Sequence, residues 1–272
     1  MASVVQFGQG SLQDYADCPR RYQLRYLLTQ LWPAILSGSP READLHMQRG
    51  ADFHRLMHQR YAGVAPSQLA DAIEGDGVLR RWWGTYLRHP PSDVPSALLR
   101  PEAVLSAPVA GHRLLARLDL LAIEPGVRAV AVDWKTSRRK PARPVLAQRL
   151  QTRVYRYLLV AAAPTIEGQR PLAAEQAEMV YWFCESDGAM ERFPYTADQY
   201  AADRTYLCAL IREIVGRQED IWPLTADEGR CHCCSYCSLC ERRASPAFSV
   251  DELDSDLGEQ EIDIEQIAEV AF

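Results

Sequence analysis

The sequence has no apolar run long enough to cross a bilayer. Its longest such run, around residues 157–164, is far shorter than the roughly 20 residues of a membrane-spanning helix. The first residues, MASVVQFGQGSLQDY, have neither a basic start nor a long apolar core, so no signal peptide is predicted. We therefore expect a cytoplasmic protein that does not associate with membranes. Disulfides are rare in that compartment, so those of the eight cysteines that are clustered in the sequence are expected to bind metal or to serve redox chemistry.

Two further absences concern charge. Residues 251–272 contain nine acids and no Lys or Arg, and without these acids the formal net charge of −6 would become +3. The body of the chain is therefore mildly basic, and residues 248–272 are predicted to form an acidic, disordered tail. The alternative is a docking segment, because the stretch EIDIEQIAEVAF keeps Ile and Val among its acids. Conversely, residues 136–160 contain seven basic residues and no Asp or Glu.

The order of helical and strand-like patterns predicts an α/β fold with a central mixed β-sheet flanked by helices, in one domain over residues 1–247. Helices are expected to begin at Ser11 and Pro19 and to cover residues 42–62, 78–88, 144–163 and 196–215. Strands are expected at residues 103–109, 112–124, 127–136 and 178–186, with residues 192–195 pairing to the last. A turn at Glu124-Pro125-Gly126 predicts a hairpin between the second and third strands.

Two acids and a lysine within the strand-like segments suggest a hydrolytic site. Asp119 lies in ARLDLLA, and Asp133 and Lys135 lie in AVDWKTS. Buried carboxylates are costly unless they are paired or bind metal, and two on neighbouring strands can share a divalent cation. Lys135 follows Asp133 by two residues and so points to the same face of the strand. An ammonium group beside metal-bound carboxylates suits phosphodiester hydrolysis. A structural Asp–Lys pair at a strand end is the alternative.

The helix that follows adds basic and polar groups. Arg149, Arg153 and Arg156 are expected to share one helical face, while Gln151 and Tyr155 share another. A basic stripe beside a metal-binding acid pair is what a nucleic-acid backbone requires, so the three arginines are predicted to bind DNA phosphates. A solvated basic face is the alternative.

Four motifs follow one another along the chain: Gly50-x-x-x-His54, Asp119, Asp133-Trp134-Lys135 and Gln151-x-x-x-Tyr155. This ordered set resembles the RecB-like branch of the PD-(D/E)xK nuclease superfamily, which has a restriction-endonuclease-like fold. The resemblance implies that Mg²⁺ or Mn²⁺ is bound by His54, Asp119, Asp133 and the carbonyl of Trp134. It also implies that Lys135 is catalytic. Gln151 and Tyr155 would help to arrange the active site and the DNA.

Five of the eight cysteines fall between Cys231 and Cys240. The pattern Cys231-x2-Cys234-x5-Cys240 resembles the C-terminal triplet of iron–sulfur nucleases in the RecB-like branch, such as AddB-type subunits and CRISPR-associated exonucleases. Their fourth ligand lies far upstream, in a segment similar to SLQDYADCP, which here contains Cys18. The resemblance implies that these four cysteines hold a [4Fe–4S] cluster, which joins the N-terminal and C-terminal segments.

The remaining cysteines of the run leave alternatives open. Cys233 and Cys237 are additional to the family pattern. Cys237 completes a ferredoxin-like C-x2-C-x2-C triplet with Cys231 and Cys234, so it could replace Cys240 as a ligand. A zinc site formed by four cysteines of the run is a further alternative.

Together these features predict a metal-dependent DNA nuclease, expected to be an exonuclease acting on single strands or DNA ends in repair, recombination or defence. The motif G-x-x-x-x-G-K-[ST] is absent, so any unwinding is expected to come from a helicase or another repair or defence protein. The alternative from a different class is a non-catalytic nucleic-acid-binding scaffold on the same fold. A ferredoxin-like redox protein would leave the Asp-x-Lys motif and the basic helix unexplained.

Overall fold

The computed structural model describes residues 5–30, 40–166, 171–231 and 234–242. Cys233, the predicted acidic tail and the predicted domain boundary at residue 247 lie outside these ranges. Within them, no helix is both long enough and apolar enough to span a membrane.

The chain begins with a short strand and several helices. These are β1 (Gln6–Phe7), α1 (Gln9–Asp17), α2 (Pro19–Tyr22) continuing into a π-helical turn (Gln23–Leu27), α3 (Pro40–Tyr61), α4 (Pro66–Ala72) and α5 (Gly77–Arg88). The predicted start at Ser11 is wrong, because α1 begins at Gln9, and the Ser11 hydroxyl accepts the N–H of Gly8 from inside the first turn. Helix α4, with 7 residues, is too short to show a helical period in the sequence.

The predicted mixed sheet is confirmed, with six strands in the described ranges. Besides β1, the sheet contains β2 (Leu98–Val109), β3 (His112–Glu124), β4 (Arg128–Lys135), β5 (Ala177–Phe183) and β6 (Ala189–Pro194). Strand β3 pairs antiparallel with β2 and β4 and parallel with β1. Strands β4 and β5 are parallel, and β6 returns antiparallel to β5. The predicted β3–β4 hairpin is confirmed, and its turn contains Gly126 at a φ of 76°, which glycine adopts without strain.

The crossover from β4 to β5 differs from the prediction of one helix over residues 144–163. It consists of α6 (Arg143–Gln148) and α7 (Leu150–Ala161), because Arg149 takes an extended ψ of 139° and interrupts the helix. The last helix, α8 (Ala197–Gly216), begins as predicted, with the Thr196 hydroxyl accepting the N–H of Gln199.

The sheet is covered by helices on both faces. One face packs against α1, α7 and α8 through side chains such as Leu12, Val154 and Ile211. The other packs against α3, α4 and α5 in a cluster rich in aromatic residues, which includes Phe53 and Trp82. Each large apolar side chain buried in this way contributes about 1.5–3 kcal/mol. These two layers hold β3 and β4 rigidly between α3 on one side and α7 on the other.

Candidate active site

The regular pairing of β3 with β4 ends at Leu120, which lies opposite Val132. Just beyond this point, Asp119 Oδ2 accepts the backbone N–H of Trp134 at 2.8 Å. Asp119 Oδ1 lies 3.1 Å from Nδ1 of His54 on α3. Where the two strands separate, the Asp119 carboxylate therefore accepts a backbone N–H of β4 in place of a strand carbonyl. The same carboxylate also contacts the imidazole of His54 on α3.

Asp133 and Lys135 lie side by side at the end of β4. Their side chains are 4% and 2% exposed, and Lys135 Nζ is 3.2 Å from Asp133 Oδ2. From α7, Gln151 Nε2 donates a hydrogen bond to Asp133 Oδ1 at 2.7 Å. The two residues thus share the face that their spacing predicts, and this face is the one that α7 covers.

Two buried tyrosines hold the Gln151 side chain. Gln151 Nε2 donates to the Tyr155 hydroxyl at 3.4 Å, and Tyr155 donates to the Arg117 carbonyl at 2.9 Å. Tyr181, directly opposite Asp133 in the β4–β5 register, donates to Gln151 Oε1 at 3.1 Å. The amide of Gln151 is therefore oriented at both ends, which directs its nitrogen to Asp133.

Helix α3 approaches the end of β4 at Gly50. A Cβ atom at this position would lie 3.1 Å from Thr136 Oγ1, closer than an ordinary van der Waals contact. His54 lies one turn further along the same helix. The Gly50-x-x-x-His54 motif therefore has a packing reason, since only glycine lets the helix bring the imidazole this close to the sheet without displacing a neighbour.

The electrostatics of the site favour a cation between the two strands. Burial lowers the pKa of His54, but Asp119 and Asp133 outweigh burial and raise this pKa to about 9. Burial raises the pKa of Asp119, but His54 and the N–H of Trp134 outweigh it and lower this pKa. At neutral pH the pair is therefore an imidazolium and a carboxylate, and the imidazolium supplies positive charge that a divalent cation could replace.

The side chains of the site are of the types that bind Mg²⁺ or Mn²⁺, although they do not yet surround a single metal position. In the described ranges, no three His, Cys, Asp or Glu side chains are already arranged as a metal site. The site nevertheless offers two carboxylates and an imidazole, and hard divalent cations prefer oxygen ligands of this kind. The protonation of His54 by its acidic neighbours shows that the pocket attracts positive charge.

The structure does not support the predicted phosphate-binding face of α7. Arg156 is buried, donates to the Pro194 carbonyl at 3.0 Å and stacks over Tyr195. Arg153 donates from Nε to Asp203 Oδ1 at 2.5 Å. Both guanidinium groups therefore fasten α7 to neighbouring parts of the chain. Arg149 is half-buried at the break between α6 and α7 rather than on a continuous helical face.

The cysteine-bearing segments meet in one pocket. Its lining includes all the described cysteines of the two segments: Cys18, Cys231, Cys234, Cys237 and Cys240. All of them are free thiols. The two ends of the chain are also joined nearby, since Arg20 donates its backbone N–H to the Pro223 carbonyl at 3.1 Å. The expected meeting of the N-terminal and C-terminal segments at these cysteines is therefore present.

Within this pocket, Cys237 differs from its neighbours. It is 4% exposed, and its thiol donates to the Cys231 carbonyl. Burial and the nearby Cys234 and Cys231 raise the pKa of Cys237 to about 11, and burial also raises the pKa of Cys234 and of Cys240. Cys231 Sγ lies 3.3 Å from a guanidinium nitrogen of Arg242.

Glu102 on β2 is a residue at the site that the sequence does not reveal. It lies between the pairs Pro101–Leu120 and Ala103–Leu118, so it is opposite Asp119. Its φ is 53°, and it pairs with Arg117 Nε at 3.0 Å. Glu102 precedes the segment predicted as a strand, residues 103–109, and only the register of β2 with β3 shows that the two acids are opposite.

The fold and the site together define a nuclease of the restriction-endonuclease-like α/β class, with Asp119 in the middle of β3 and Asp133 and Lys135 at the end of β4. The sequence model of the PD-(D/E)XK nuclease superfamily matches residues 6–241. The chain therefore belongs to this superfamily, whose members hydrolyse phosphodiester bonds and generally use divalent metals. No curated protein matches the sequence.

Two solved structures resemble the chain at low sequence identity. One, described as a "putative exonuclease" from Eubacterium rectale, is 11% identical, with 89% of this chain and 90% of that chain covered and a TM-score of 0.50. The other is the crystal structure of SSO0001, which is 15% identical, with 88% of this chain and 87% of that chain covered and a TM-score of 0.41. At this identity, the Eubacterium rectale structure supports the fold alone.

Proposed function

We propose that the protein is a divalent-metal-dependent exonuclease that acts on single-stranded DNA or DNA ends. The observation that carries this proposal is the convergence of His54, Asp119, Asp133 and Lys135 where β3 and β4 separate. Superfamily membership supports phosphodiester hydrolysis. The choice of single strands or ends, and a role in repair, recombination or defence, rests on the resemblance to the RecB-like branch.

In this proposal, Asp119 and Asp133, with His54 and the Trp134 carbonyl, hold Mg²⁺ or Mn²⁺. When bound, the cation supplies activation of a water molecule and neutralisation of charge on the phosphate. Lys135 holds its ammonium against Asp133, where it can donate a hydrogen bond to the attacking water or stabilise the developing negative charge. Gln151 fixes the orientation of Asp133, and Tyr155 with Tyr181 fixes Gln151.

The DNA backbone is proposed to follow basic residues close to β4. Arg138 and Arg139 are exposed directly after the catalytic strand, and Arg149 lies at the break before Gln151. Arg156 is left out of this surface because it is buried, and Arg153 because Asp203 and the Tyr206 ring hold its guanidinium group. Phosphate contacts of this kind make binding depend on salt.

The cysteine pocket is proposed to hold a structural [4Fe–4S] cluster. Cys18, Cys231, Cys234 and Cys240 are the proposed ligands, and their common pocket and reduced state support this assignment. The thiol of Cys237 is directed to a backbone carbonyl, which supports a position outside the ligand set. Hydrolysis involves no redox change, so the cluster is assigned to stability. Free thiols also suit the reducing cytoplasm, where we place the protein.

The proposal is tested with end-labelled single-stranded and double-stranded DNA, each with Mg²⁺, Mn²⁺ or EDTA. The expected result is metal-dependent shortening of single strands from an end, with no cleavage in EDTA. Binding without cleavage under all conditions would favour the non-catalytic scaffold instead. Degradation of long duplexes is expected to need a partner helicase. Adding a helicase to the assay should therefore increase the shortening of double-stranded DNA.

A further inference from the structure

Helix α1 connects the cysteine pocket to the catalytic centre through polar contacts. Arg230, which precedes Cys231, pairs with Asp17 Oδ1. Gln13, one turn before Asp17 on α1, donates from Nε2 to the same carboxylate oxygen at 2.9 Å. Gln13 Oε1 then accepts the backbone N–H of Leu150 at 3.0 Å. A continuous series of hydrogen bonds thus leads from the C-terminal cysteine segment to the first residue of α7.

The last of these contacts replaces a helix cap. The first N–H groups of a helix have no partner within the helix, and a side chain just before it usually accepts one of them. The residue in the capping position of α7 is Arg149, whose side chain makes no such bond. Gln13 supplies the acceptor instead, from a different helix and more than a hundred residues away in the chain.

The capped end of α7 is the part that matters for chemistry. Leu150 is followed directly by Gln151, which donates to Asp133. A small shift at the start of α7 would therefore move Gln151 relative to Asp133, and misplacement by about 1 Å can cost an enzyme on the order of 100-fold in rate. The Gln13–Leu150 bond limits such shifts.

We propose that Gln13 is a positioning residue, which transmits the docking of the cysteine segment on α1 to Gln151 and so to the orientation of Asp133. Asp17 orients the Gln13 amide, and Arg230 anchors Asp17. This inference rests on the proposed function for its activity measurement. Its second measurement, Mn²⁺ binding, does not require cleavage.

The first experiment compares Gln13→Met with Gln13→Glu in the full chain. The methionine fills the same volume without a carbonyl oxygen, whereas the glutamate keeps an acceptor for the Leu150 N–H, and Arg21 and Arg230 offset its charge beside Asp17. In Gln13→Met, kcat on single-stranded DNA is expected to fall about tenfold with KM unchanged. In Gln13→Glu, kcat is expected to stay within about threefold of wild type, because the cap is retained.

The matched control is Gln48→Met. Gln48 on α3 is exposed and donates to Asp52 at 3.2 Å, so this variant loses the same kind of Gln–Asp contact across one helical turn. Its kcat is expected to equal that of wild type. All variants are compared at equal iron and zinc content, so that loss of metal from the cysteine pocket is not mistaken for loss of positioning.

Mn²⁺ affinity, measured by electron paramagnetic resonance, provides a readout independent of turnover. Because Gln151 holds Asp133, Gln13→Met should weaken Mn²⁺ binding about three- to tenfold, less than the 10–100-fold typical when a residue contacting a ligand is itself removed. If the wild type binds Mn²⁺ but does not cleave DNA, the proposed function fails and this measurement alone decides the positioning role.

Equal kcat and equal Mn²⁺ affinity in Gln13→Met and Gln48→Met would overturn the proposal, and so would equal losses in Gln13→Met and Gln13→Glu. If Gln13→Met does not fold, Asp17→Leu takes its place, since leucine has no acceptor for the Gln13 amide and leaves Gln13 itself intact. Wild-type kcat and Mn²⁺ affinity in Asp17→Leu would then overturn the proposal, and a fall in both would support it.

Discussion

Lys135 is one of only two lysines in the chain, and its side chain is 2% exposed. An ammonium group taken out of water costs several kcal/mol unless its partners compensate. Asp133 compensates part of this cost. Two apolar side chains of the same volume in place of Lys135 and Asp133 would pack as well and would not have to be desolvated. A buried ion pair at the end of a strand, next to a protonated histidine, is therefore better explained by chemistry than by stability.

Lys135→Met is expected to lower kcat about 100-fold or more, because a preorganised donor to the transition state is lost. Asp133→Ala should abolish cleavage, since a metal ligand is removed. Binding of single-stranded DNA in EDTA should be retained by both variants. Lys140→Met is the control, because Lys140 is partly exposed and pairs with Glu191 at 2.6 Å. Full cleavage by both active-site variants would refute the assignment of the hydrolytic centre.

At the scale of elements, α7 has two functions on opposite sides. Its first turn carries Gln151 towards Asp133, while Arg153 and Arg156 fasten it to α8 and β6. Asp203 on α8 is 5% exposed and accepts from Arg153 and from the Tyr195 hydroxyl at 2.9 Å. The arginines therefore satisfy buried acceptors, which would be costly to leave without them.

Arg156→Met should destabilise the fold by about 3 kcal/mol, because it removes the buried donor to the Pro194 carbonyl and the positive charge near Asp203. Urea unfolding measures this loss. The slope of log K against log salt for single-stranded DNA should not change. In Arg138→Met, by contrast, the slope is expected to fall by about 1, because Arg138 is exposed directly after β4. A reduced slope in Arg156→Met would restore the predicted phosphate contact.

Helix α3 comes closest to the end of β4 at Gly50. Gly50→Ala places a Cβ atom 3.1 Å from Thr136 Oγ1, so Thr136 or the helix that carries His54 must shift by a few tenths of an ångström. We expect about a tenfold loss of kcat, although alanine favours a helix by about 1 kcal/mol over glycine. The control is Gly10→Ala in α1, where a Cβ atom meets nothing within 4 Å. This control should be more stable and fully active, and equal activity of the two variants would show that the close approach is not needed.

At the scale of the whole molecule, the two ends of the fold meet at the cysteine pocket. Cys18 ends α1, and the C-terminal cysteines follow α8 and a further turn, so the pocket closes a loop that contains strands β2 to β6. Closing so long a loop by a covalent or metal link restricts the unfolded chain strongly, which stabilises the folded state. The pocket therefore has the position expected of a structural staple.

Protein purified without oxygen is expected to be brown and to contain iron and sulfide. Cys18→Ser and Cys240→Ser should each lose the colour and lower Tm by about 10 °C, from a loop-closure effect of about 4 kcal/mol in a domain of this size. Cys237→Ser should keep the brown colour and the Tm of the wild type, since this thiol donates a hydrogen bond to the Cys231 carbonyl. If Cys237→Ser bleaches and Cys240→Ser does not, the ferredoxin-like ligand set is correct. A colourless protein with one zinc ion would replace the cluster by a zinc site.

The sequence by itself determined the α/β class and the hairpin of β3 and β4, and it brought out the motif residues that meet at the candidate site. It did so because these features depend on local patterns: strand alternation puts Asp133 and Lys135 on one face, and residue types such as His, Asp and Lys carry their chemistry with them. The cap of α8 at Thr196 was also predictable, since Gln199 is only three residues away.

Only the tertiary structure decided the partners of residues far apart in the chain. The arginines of α7 have a periodic pattern that fits a solvated or DNA-binding face. In the structure, however, α8 and β6 cover two of them. No local sequence pattern shows that Asp203 on α8 lies next to Arg153. Likewise, Tyr181 and Glu102 join the site through strand register, and Gln13 caps α7 across 137 positions. These contacts depend on how the layers pack. A hydrogen bond requires only that two atoms are close in space, and residues far apart in the sequence become close only when the chain folds.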